Sequence, residues 1–97
     1  MIRSFRDRVT ESVSNGICPK GFPADLVSVA RRKLGMIHAA VELRDLRSPL
    51  NNKLHALEKG RKGQHAIWVN RRCRVCFEWR NGDAYNVEIT DYHDRKK

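Results

Sequence analysis

The stretch that decides the fold is Cys73–Thr90, CRVCFEWRNGDAYNVEIT. Apolar and polar side chains alternate along it on both sides of Asn81-Gly82, and a period of two is typical of a strand with one buried face. Asn-Gly is the pair that two-residue hairpin turns prefer, because both turn positions adopt positive φ. The stretch therefore predicts a β-hairpin. The residues expected on its apolar face are Cys73, Val75, Phe77, Trp79, Tyr85, Val87 and Ile89.

Two further segments extend this predicted sheet. Ile67 and Val69 are two residues apart and would face one side of a strand before the turn Asn70–Arg72, which indicates a strand ahead of the hairpin. Ile2–Phe5 is a candidate for a fourth strand. Residues 49–63, rich in Asn, Lys and Gly, are expected to form a loop.

Two helices are predicted before the sheet. The first runs from Arg6 to Ser14, and the Asn15-Gly16 pair that follows is a typical helix stop. The second runs from about Pro23 to about Ala40, because its apolar residues recur with the period of a helix face. A short helical turn over Leu43–Leu46 ends at Ser48-Pro49.

Together these elements predict an α+β fold, in which the two N-terminal helices pack on one face of a three- to four-stranded antiparallel sheet. The other face is expected to stay open to a ligand. The charged run Arg31–Lys33 lies mostly off the apolar stripe of the second helix. At 97 residues the chain fits a single domain, over residues 1–93, with residues 94–97 as a charged tail.

The charge balance points to a polyanion as the partner. The chain has 20 Lys and Arg against 11 Asp and Glu, a formal charge of +9, and the excess is sharpest between Lys53 and Arg74. Phosphate contacts by such residues give affinity for nucleic acid without choosing a sequence. A merely solvated basic face is the alternative. The candidate RNA-binding residues are Lys53, Lys59, Arg61, Lys62, Arg71 and Arg72.

Targeting and redox signals predict a cytoplasmic protein. The N-terminus is charged and lacks the apolar core of a secretory signal, and no apolar run reaches the ~20 residues of a membrane span. Three cysteines are an odd number for a disulfide framework and are expected to be reduced. Cys73 and Cys76 have C-x-x-C spacing, but strand residues three apart face opposite sides. We therefore expect no metal site and no cofactor.

Acid–base groups are concentrated at the end of the last predicted strand, at Asp91-Tyr92-His93. Pairing within the hairpin would bring Arg74 close to this end, and the preceding loop would carry His55 and Lys59 to the same rim. Such groups suit RNA cleavage by the 2′-hydroxyl, in which a base activates the hydroxyl, an acid protonates the leaving 5′-oxygen and a cation stabilises the phosphorane. The residues alone leave open the alternative that Asp91 and His93 only cap the end of the strand and have no catalytic role.

Seven segments match a known family in order and spacing. They are Phe22-Pro23-Ala24-Asp25, Arg32-Lys33-Leu34, Leu43-Arg44-Asp45-Leu46, Gly60-Arg61-Lys62-Gly63-Gln64, Arg74-Val75-Cys76-Phe77, Gly82-Asp83-Ala84-Tyr85 and Val87-Glu88-Ile89-Thr90-Asp91-Tyr92-His93. Over about residues 1–93 the chain thereby resembles the HigB toxins, which belong to the RelE/ParE superfamily of type II toxin–antitoxin systems.

This resemblance implies a RelE/ParE-like fold and a function. HigB toxins are ribosome-dependent mRNA interferases, endoribonucleases that cut translated mRNA in the ribosomal A site and so inhibit translation and growth. The implied partners are a HigA-type helix-turn-helix antitoxin, mRNA and the small ribosomal subunit. Operator DNA is expected to be bound only through the antitoxin.

The resemblance also implies site residues by position. His55 matches a family catalytic histidine, Arg74 matches a cation after the second strand, and Asp91, Tyr92 and His93 match the terminal catalytic group. The implied roles are general base for His93 or Asp91, acid–base partner for His55, charge neutralisation for Arg74 and orientation of the nucleotide for Tyr92.

Three positions depart from the family pattern. Arg72 stands where some relatives have Asn, Glu58 where some have Lys, and Cys73 replaces the aromatic residue usual before the strand arginine. Lys59, next to Glu58, is a candidate to supply the missing charge.

Two other functions fit parts of the pattern. A ParE-like inhibitor of DNA gyrase would share the fold but generally lacks the terminal acid–base group. A non-catalytic ribosome- or RNA-binding module would need only the positive charge. Four further residues are expected to pack rather than to act, and these are His38, His65, Trp68 and Trp79.

Overall fold

The computed structural model describes residues 1–57 and 63–91, with Asp91 described by its backbone alone. The helical elements are α1 at Arg8–Ser14, a 3₁₀ helix at Ala24–Leu26 that leads into α2 at Val27–Ala39, and further 3₁₀ helices at Leu43–Arg47 and Leu50–Asn52. The strands are β1 at His55–Ala56, β2 at Gln64–Trp68, β3 at Cys73–Arg80 and β4 at Asp83–Asp91. The predicted tail at 94–97 lies outside the described residues.

Side-chain and backbone chemistry sets both ends of α1. The Asp7 carboxylate accepts a hydrogen bond from Thr10 N at 2.8 Å, which caps the first turn. Because Asp7 is the cap, the helix begins at Arg8 rather than at the predicted Arg6. It stops at Asn15-Gly16 as predicted, where the glycine has a φ of 82°.

The second predicted helix is present, with its first turn in 3₁₀ form ahead of α2. Ala30, Leu34 and Ile37 are buried, as the helical stripe predicts. Lys33 departs from its predicted place outside the core, since it is only 3% exposed and its Nζ donates a hydrogen bond to Asn52 Oδ1. A buried ammonium is tolerated here because a buried amide oxygen accepts from it.

The four strands form one antiparallel sheet in the order β1-β2-β3-β4. Strands β3 and β4 are joined at Asn81-Gly82, whose φ values of 52° and 83° are those of the predicted hairpin turn. The hairpin that decides the fold is therefore confirmed.

A β-bulge in β4 changes one predicted face. The pairing with β3 shifts between Cys76 and Glu78, opposite Asn86, which has a φ of 52°. An extra residue reverses the alternation of side chains, so Tyr85 pairs with Glu78 and lies on the face opposite Val87. The expectation that Tyr85 shares the apolar face is therefore wrong.

Two edge segments also differ from expectation. His55–Ala56, expected within a loop, forms β1, because pairing with β2 defines a strand that is too short to show alternation. Ile2–Phe5, expected to be a fourth strand, instead makes isolated parallel bridges to β4, from Ile2 to Ala84 and from Phe5 to Val87. The fourth strand of the sheet is β1.

One core lies between the helices and the sheet. Val13 of α1 and Ile37 of α2 are fully buried against a sheet face that carries Val75, Phe77 and Val87. This confirms the predicted arrangement of two helices packed on one face of an antiparallel sheet. We call the opposite face, which carries His55, Trp68, Arg74, Cys76 and Thr90, the outer face.

Candidate active site

The strand register places the candidate residues on the outer face in two rows. In the first row His55 of β1 pairs with Ala66, which in turn pairs with Cys76. In the second row Trp68 pairs with Arg74, and Arg74 pairs with Thr90. Since neighbouring strands are about 4.8 Å apart, the backbones of β1 and β3 lie about 10 Å from each other. His55 and Arg74 therefore share one face at a separation that a nucleotide can span.

The centre of the outer face is less open than predicted. Ala66 is fully buried and Cys76 is 1% exposed, while Arg74 and Glu88 retain 7% and 8% of their surface. The Arg6 side chain reaches Glu88 through an ion pair of 3.4 Å. Access to the outer face is found instead at the β1 edge, where His55 is exposed.

The geometry of His55 suits proton transfer. Its Nδ1 lies 2.8 Å from the carbonyl oxygen of Lys53. Because a carbonyl can only accept, Nδ1 carries the hydrogen, and in the neutral ring Nε2 holds the lone pair. The same hydrogen bond persists when Nε2 is protonated, so the ring keeps its orientation in both states.

A buried polar bridge holds the segment that precedes His55. The amide of Asn52 is fully buried, and its Nδ2 donates to Leu46 O at 3.1 Å while its Oδ1 accepts from Lys33. The next residue, Lys53, has a φ of 49°, and this left-handed turn leads into β1. Burial lowers the pKa of Lys33, and the positive charge of the nearby Arg32 lowers it further by a smaller amount. The carbonyl that orients His55 is thus attached to a fixed backbone.

Arg74 is a fixed cation rather than a free one. Its Nη1 donates to the carbonyl oxygens of Asn70 at 2.8 Å and of Arg71 at 3.0 Å. Its guanidinium lies 4.1 Å from the ring centre of Trp68, and Lys53 Nζ lies 4.9 Å from the same ring. Trp68 therefore packs between side chains of the sheet and its edge, as expected for it.

Arg74 lies next to the end of β4, as predicted, and the backbone pairing of the two strands shows this. Arg74 pairs with Thr90, and Asp91 pairs with Cys73. The Asp91 side chain, Tyr92 and His93 lie outside the described residues, so their roles stay predictions. The same holds for three of the predicted RNA-binding residues, Lys59, Arg61 and Lys62.

The remaining predicted RNA-binding residues are described. Arg71 and Arg72 are exposed on the turn between β2 and β3. Asn70 Oδ1 shapes this turn by accepting from Arg72 N at 2.9 Å and from Cys73 N at 2.7 Å. The two arginines thus lie at the end of the sheet where Arg74 pairs with Thr90. Lys53 is exposed at the β1 edge.

Three aromatic or histidine residues make the structural contacts expected of them. His65 stacks on Phe77 with ring centres 6.2 Å apart, and Trp79 meets the same ring edge-on at 6.3 Å. His38 Nδ1 accepts from Ile2 N at 3.2 Å, which ties the N-terminal segment to α2. Burial lowers the pKa of His65, and the nearby His55 lowers it further by a smaller amount.

The cysteines of the C-x-x-C segment face opposite sides of the sheet, as predicted. Cys73 belongs to the core, whereas Cys76 Sγ lies 3.5 Å from Thr90 Oγ1 on the outer face. Within the part of the chain that the structure describes, no three His, Cys, Asp or Glu side chains are grouped so that they could hold a metal ion.

Sequence reasoning missed a groove beside His55. Its volume is about 400 Å³, and the Leu43–Arg47 3₁₀ helix forms one wall and β1 the other. Arg44 and Arg47 line it together with His55 and His65. The sequence does show two arginines, Arg44 and Arg47, three residues apart. Residues with this spacing align along one side of a 3₁₀ helix, so the pair could be interpreted only once this turn was known to be a 3₁₀ helix.

The fold is that of a RelE-like toxin. YafQ from E. coli strain BL21(DE3) has the same architecture, with a TM-score of 0.59 over 100% of this chain and 98% of that chain, at 13% identity. A family described as "RelE-like toxin of type II toxin-antitoxin system HigB" matches residues 3–93. The chain therefore belongs to the HigB family of toxins.

Named relatives agree with this membership. The chain is 33% identical to Endoribonuclease HigB of Proteus vulgaris, over 96% of this chain and 100% of that protein. It is 38% identical to Toxin HigB-1 of Vibrio cholerae, over 69% of this chain and 70% of that protein. As a type II toxin, it has an antitoxin as partner. Among residues 1–57 and 63–91, every helix is too short or too polar to span a bilayer.

Proposed function

We propose that this protein is a ribosome-dependent mRNA interferase, which cuts translated mRNA in the ribosomal A site and is neutralised by a HigA-type antitoxin. Its class, an endoribonuclease toxin, rests on one observation above all: the likeness to Endoribonuclease HigB covers 96% of this chain and the whole of that relative. Its place of action is the cytoplasm, where ribosomes hold mRNA. Operator DNA is reached only through the antitoxin.

The proposed reaction is an internal attack within RNA. The 2′-oxygen forms a bond to phosphorus, the bond from phosphorus to the 5′-oxygen breaks, and the products are a 2′,3′-cyclic phosphate and a free 5′-hydroxyl. His93 or Asp91 takes the proton from the 2′-hydroxyl, and His55 gives a proton to the leaving oxygen. Tyr92 orients the nucleotide.

The described geometry supports the role given to His55. Its ring is exposed at the β1 edge and is oriented through Nδ1, so Nε2 is the nitrogen that gains and loses the proton. Because the Lys53 carbonyl accepts in both states, protonation of Nε2 requires no rearrangement of the ring. An acid that keeps its geometry through the proton transfer is pre-organised for it.

Burial refines the role given to Arg74. With 7% of its surface exposed and Nη1 bound to backbone carbonyls, its guanidinium is held in place by the turn between β2 and β3. A fixed cation in a partly dehydrated setting stabilises charge that develops nearby, without the cost of reorganising. Arg74 therefore acts on the phosphorane mainly through its field, and the exposed Lys53, Arg71 and Arg72 hold the RNA strand.

The test is induced expression followed by mapping of RNA 5′ ends. The proposal expects growth arrest and new 5′ ends inside translated codons, which disappear when translation initiation is blocked beforehand. His93→Ala and Asp91→Ala should each restore growth. Trapped gyrase–DNA breaks with intact mRNA would instead make the protein a gyrase inhibitor of the ParE type.

A further inference from the structure

The groove beside His55 has the composition of an RNA-binding subsite. Among the described residues that line it, the ionisable ones are Arg44, Arg47, His55 and His65, and none of these described residues is a carboxylate. Leu43 and Leu54 line it as well, and both are partly buried against the core. A cationic rim above an apolar floor is complementary to a nucleotide, whose phosphodiester is anionic and whose base has a flat apolar surface.

The two arginines are aligned by the helix that carries them. A 3₁₀ helix has three residues per turn and rises about 2 Å per residue, so Arg44 and Arg47 lie on one side, about 6 Å apart along the axis. Leu43 and Leu46 share the same spacing one residue earlier, and Leu46 is 1% exposed in the core. The two leucines hold the 3₁₀ helix against the core, and this contact fixes the position of the arginines that follow each of them.

Both arginines have donors available for a phosphate. The Arg47 side chain makes no hydrogen bond or ion pair within residues 1–57 and 63–91. Arg44 Nε lies 2.7 Å from Glu42 Oε1, but the two side chains are 73% and 57% exposed. Such a surface pair is weak, and a guanidinium retains four further donors when one is used.

The nearby carboxylate of Asp45 is already occupied. Its Oδ2 accepts from Val41 N at 3.0 Å and from Glu42 N at 2.9 Å, where it caps the 3₁₀ helix. These two backbone hydrogen bonds are the main cause of the lowered pKa of Asp45. Its negative charge is thus satisfied mainly by backbone N–H groups at the start of the helix, with a smaller contribution from Arg44.

We infer that this groove binds one nucleotide of single-stranded RNA, with its phosphodiester on Arg44 and Arg47 and its base or ribose against Leu43 and Leu54. The inference rests on the proposed function, since it places this nucleotide beside His55 on the strand that is cut. The strand would then run over the β1 edge, from the groove on one side of His55 to Lys53 and Trp68 on the other.

The test measures RNA binding apart from cleavage. The probe is a fluorescein-labelled RNA hexanucleotide with every 2′-hydroxyl methylated, which has no nucleophile and stays intact. Fluorescence anisotropy over a salt series should show about tenfold weaker binding for Arg47→Ala, because one charged hydrogen-bond partner is lost. The double variant R44A/R47A should also lower the log–log salt slope by about 0.7 for each phosphate contact removed.

Two matched variants control for net charge and for geometry. Arg8→Ala removes an exposed arginine from α1, on the other layer of the fold, and should bind like the parent. Arg47→Lys retains the charge but loses the planar guanidinium, and should retain most of the salt slope with intermediate affinity.

A second arm identifies which RNA occupies the groove. Binding of R44A/R47A to vacant small ribosomal subunits, which hold no mRNA, is compared with hexanucleotide binding. Weaker binding of the hexanucleotide supports an mRNA occupant, and weaker binding of the subunit alone supports a ribosomal RNA occupant. Parental affinity and slope in both arms overturn the inference.

The two proposals fail in different ways. If His55→Ala abolishes cleavage while R44A/R47A binds both RNAs like the parent, the groove is not an RNA site and the proposed function stands. If the parent creates no 5′ ends in translated mRNA while R44A/R47A loses RNA affinity, the groove stands and the proposed function fails.

Discussion

At the residue scale, the chemistry of each histidine depends on whether its Nδ1 donates or accepts a hydrogen bond. His55 Nδ1 is fixed by the Lys53 carbonyl at 2.8 Å, whereas His38 Nδ1 accepts from a backbone N–H at 3.2 Å. His65 is neither free nor exposed, because its ring stacks on Phe77. Three histidines of one chain thus have three different roles, and the environment rather than the residue type decides them.

The first prediction concerns His55. His55→Ala should lower the rate of mRNA cleavage by about 10²- to 10⁴-fold, the usual worth of a positioned acid or base. The expected loss is in the chemical step, so single-turnover cleavage on programmed ribosomes is the measurement. His38→Ala removes a histidine from α2, on the helical side of the fold, and should cleave at the parental rate. A His55→Ala protein that cleaves like the parent would show that His55 is not the acid.

The second prediction concerns His65. Burial, with a smaller effect of His55, keeps its pKa below the ordinary 6.5. As pH falls, the unfolded chain therefore binds the proton first, and the free energy of unfolding decreases below about pH 6.5. His65→Phe retains the stacking on Phe77 and should lose less stability than the parent between pH 7 and pH 5.

Denaturant unfolding at the two pH values measures this difference. If His65→Phe loses as much stability as the parent on acidification, then His65 does not contribute to the acid sensitivity of the fold.

At the element scale, short helices and a two-residue strand position the candidate site. The Leu50–Asn52 3₁₀ helix ends at Lys53 in a left-handed conformation, and β1 begins two residues later at His55. Neither element has a periodic pattern long enough to read from the sequence. They are held instead by Asn52, which bonds to Lys33 of α2 and to Leu46 O in the neighbouring 3₁₀ helix.

The third prediction tests this bridge. Asn52→Ala should lower the free energy of unfolding by about 2–4 kcal/mol, because it leaves the buried Lys33 ammonium without its amide acceptor. Asn51→Ala changes the exposed neighbour in the same 3₁₀ helix and should stay within about 0.5 kcal/mol of the parent. Urea unfolding provides both values. Equal effects of the two substitutions would show that the bridge does not stabilise the fold.

At the scale of the whole molecule, the formal charge of +9 suits a protein that binds a polyanion. Around the candidate site, exposed cations lie at two places, Arg71 and Arg72 on one turn, and Arg44, Arg47 and Lys53 beside β1. Two other basic residues in the described part of the chain, Lys33 and Arg74, are buried instead. The formal charge of the sequence therefore overstates the positive charge that is exposed to a ligand.

The fourth prediction follows from this charge. Binding to the small ribosomal subunit should weaken by about a hundredfold between 50 and 200 mM salt, as expected for about four phosphate contacts. The double variant R71A/R72A should have a shallower slope, and Lys33→Met, which removes a buried charge, should keep the parental slope. Co-sedimentation over a salt series is the measurement, and affinity independent of salt would contradict a phosphate-binding role.

Several features were readable from the sequence because they depend on local chemistry. Alternation and the Asn81-Gly82 turn predicted the β3–β4 hairpin, and a helical period predicted α2, since both patterns record a single buried face. The pairing of Arg74 with the end of β4 followed from the hairpin register. Family resemblance supplied the toxin class, which the family match confirms.

Other features were decided only by contacts between distant parts of the chain. Pairing with β2 makes His55–Ala56 a strand, the bulge at Asn86 turns Tyr85 to the outer face, and Asn52 makes the burial of Lys33 possible. The groove beside His55 likewise exists only where a 3₁₀ helix meets β1. The sequence by itself determined α1, α2 and the β3–β4 hairpin, because their capping, periodic and turn signals are local. The tertiary structure decided which charges are accessible and which are buried, because solvent exposure depends on the elements that pack together.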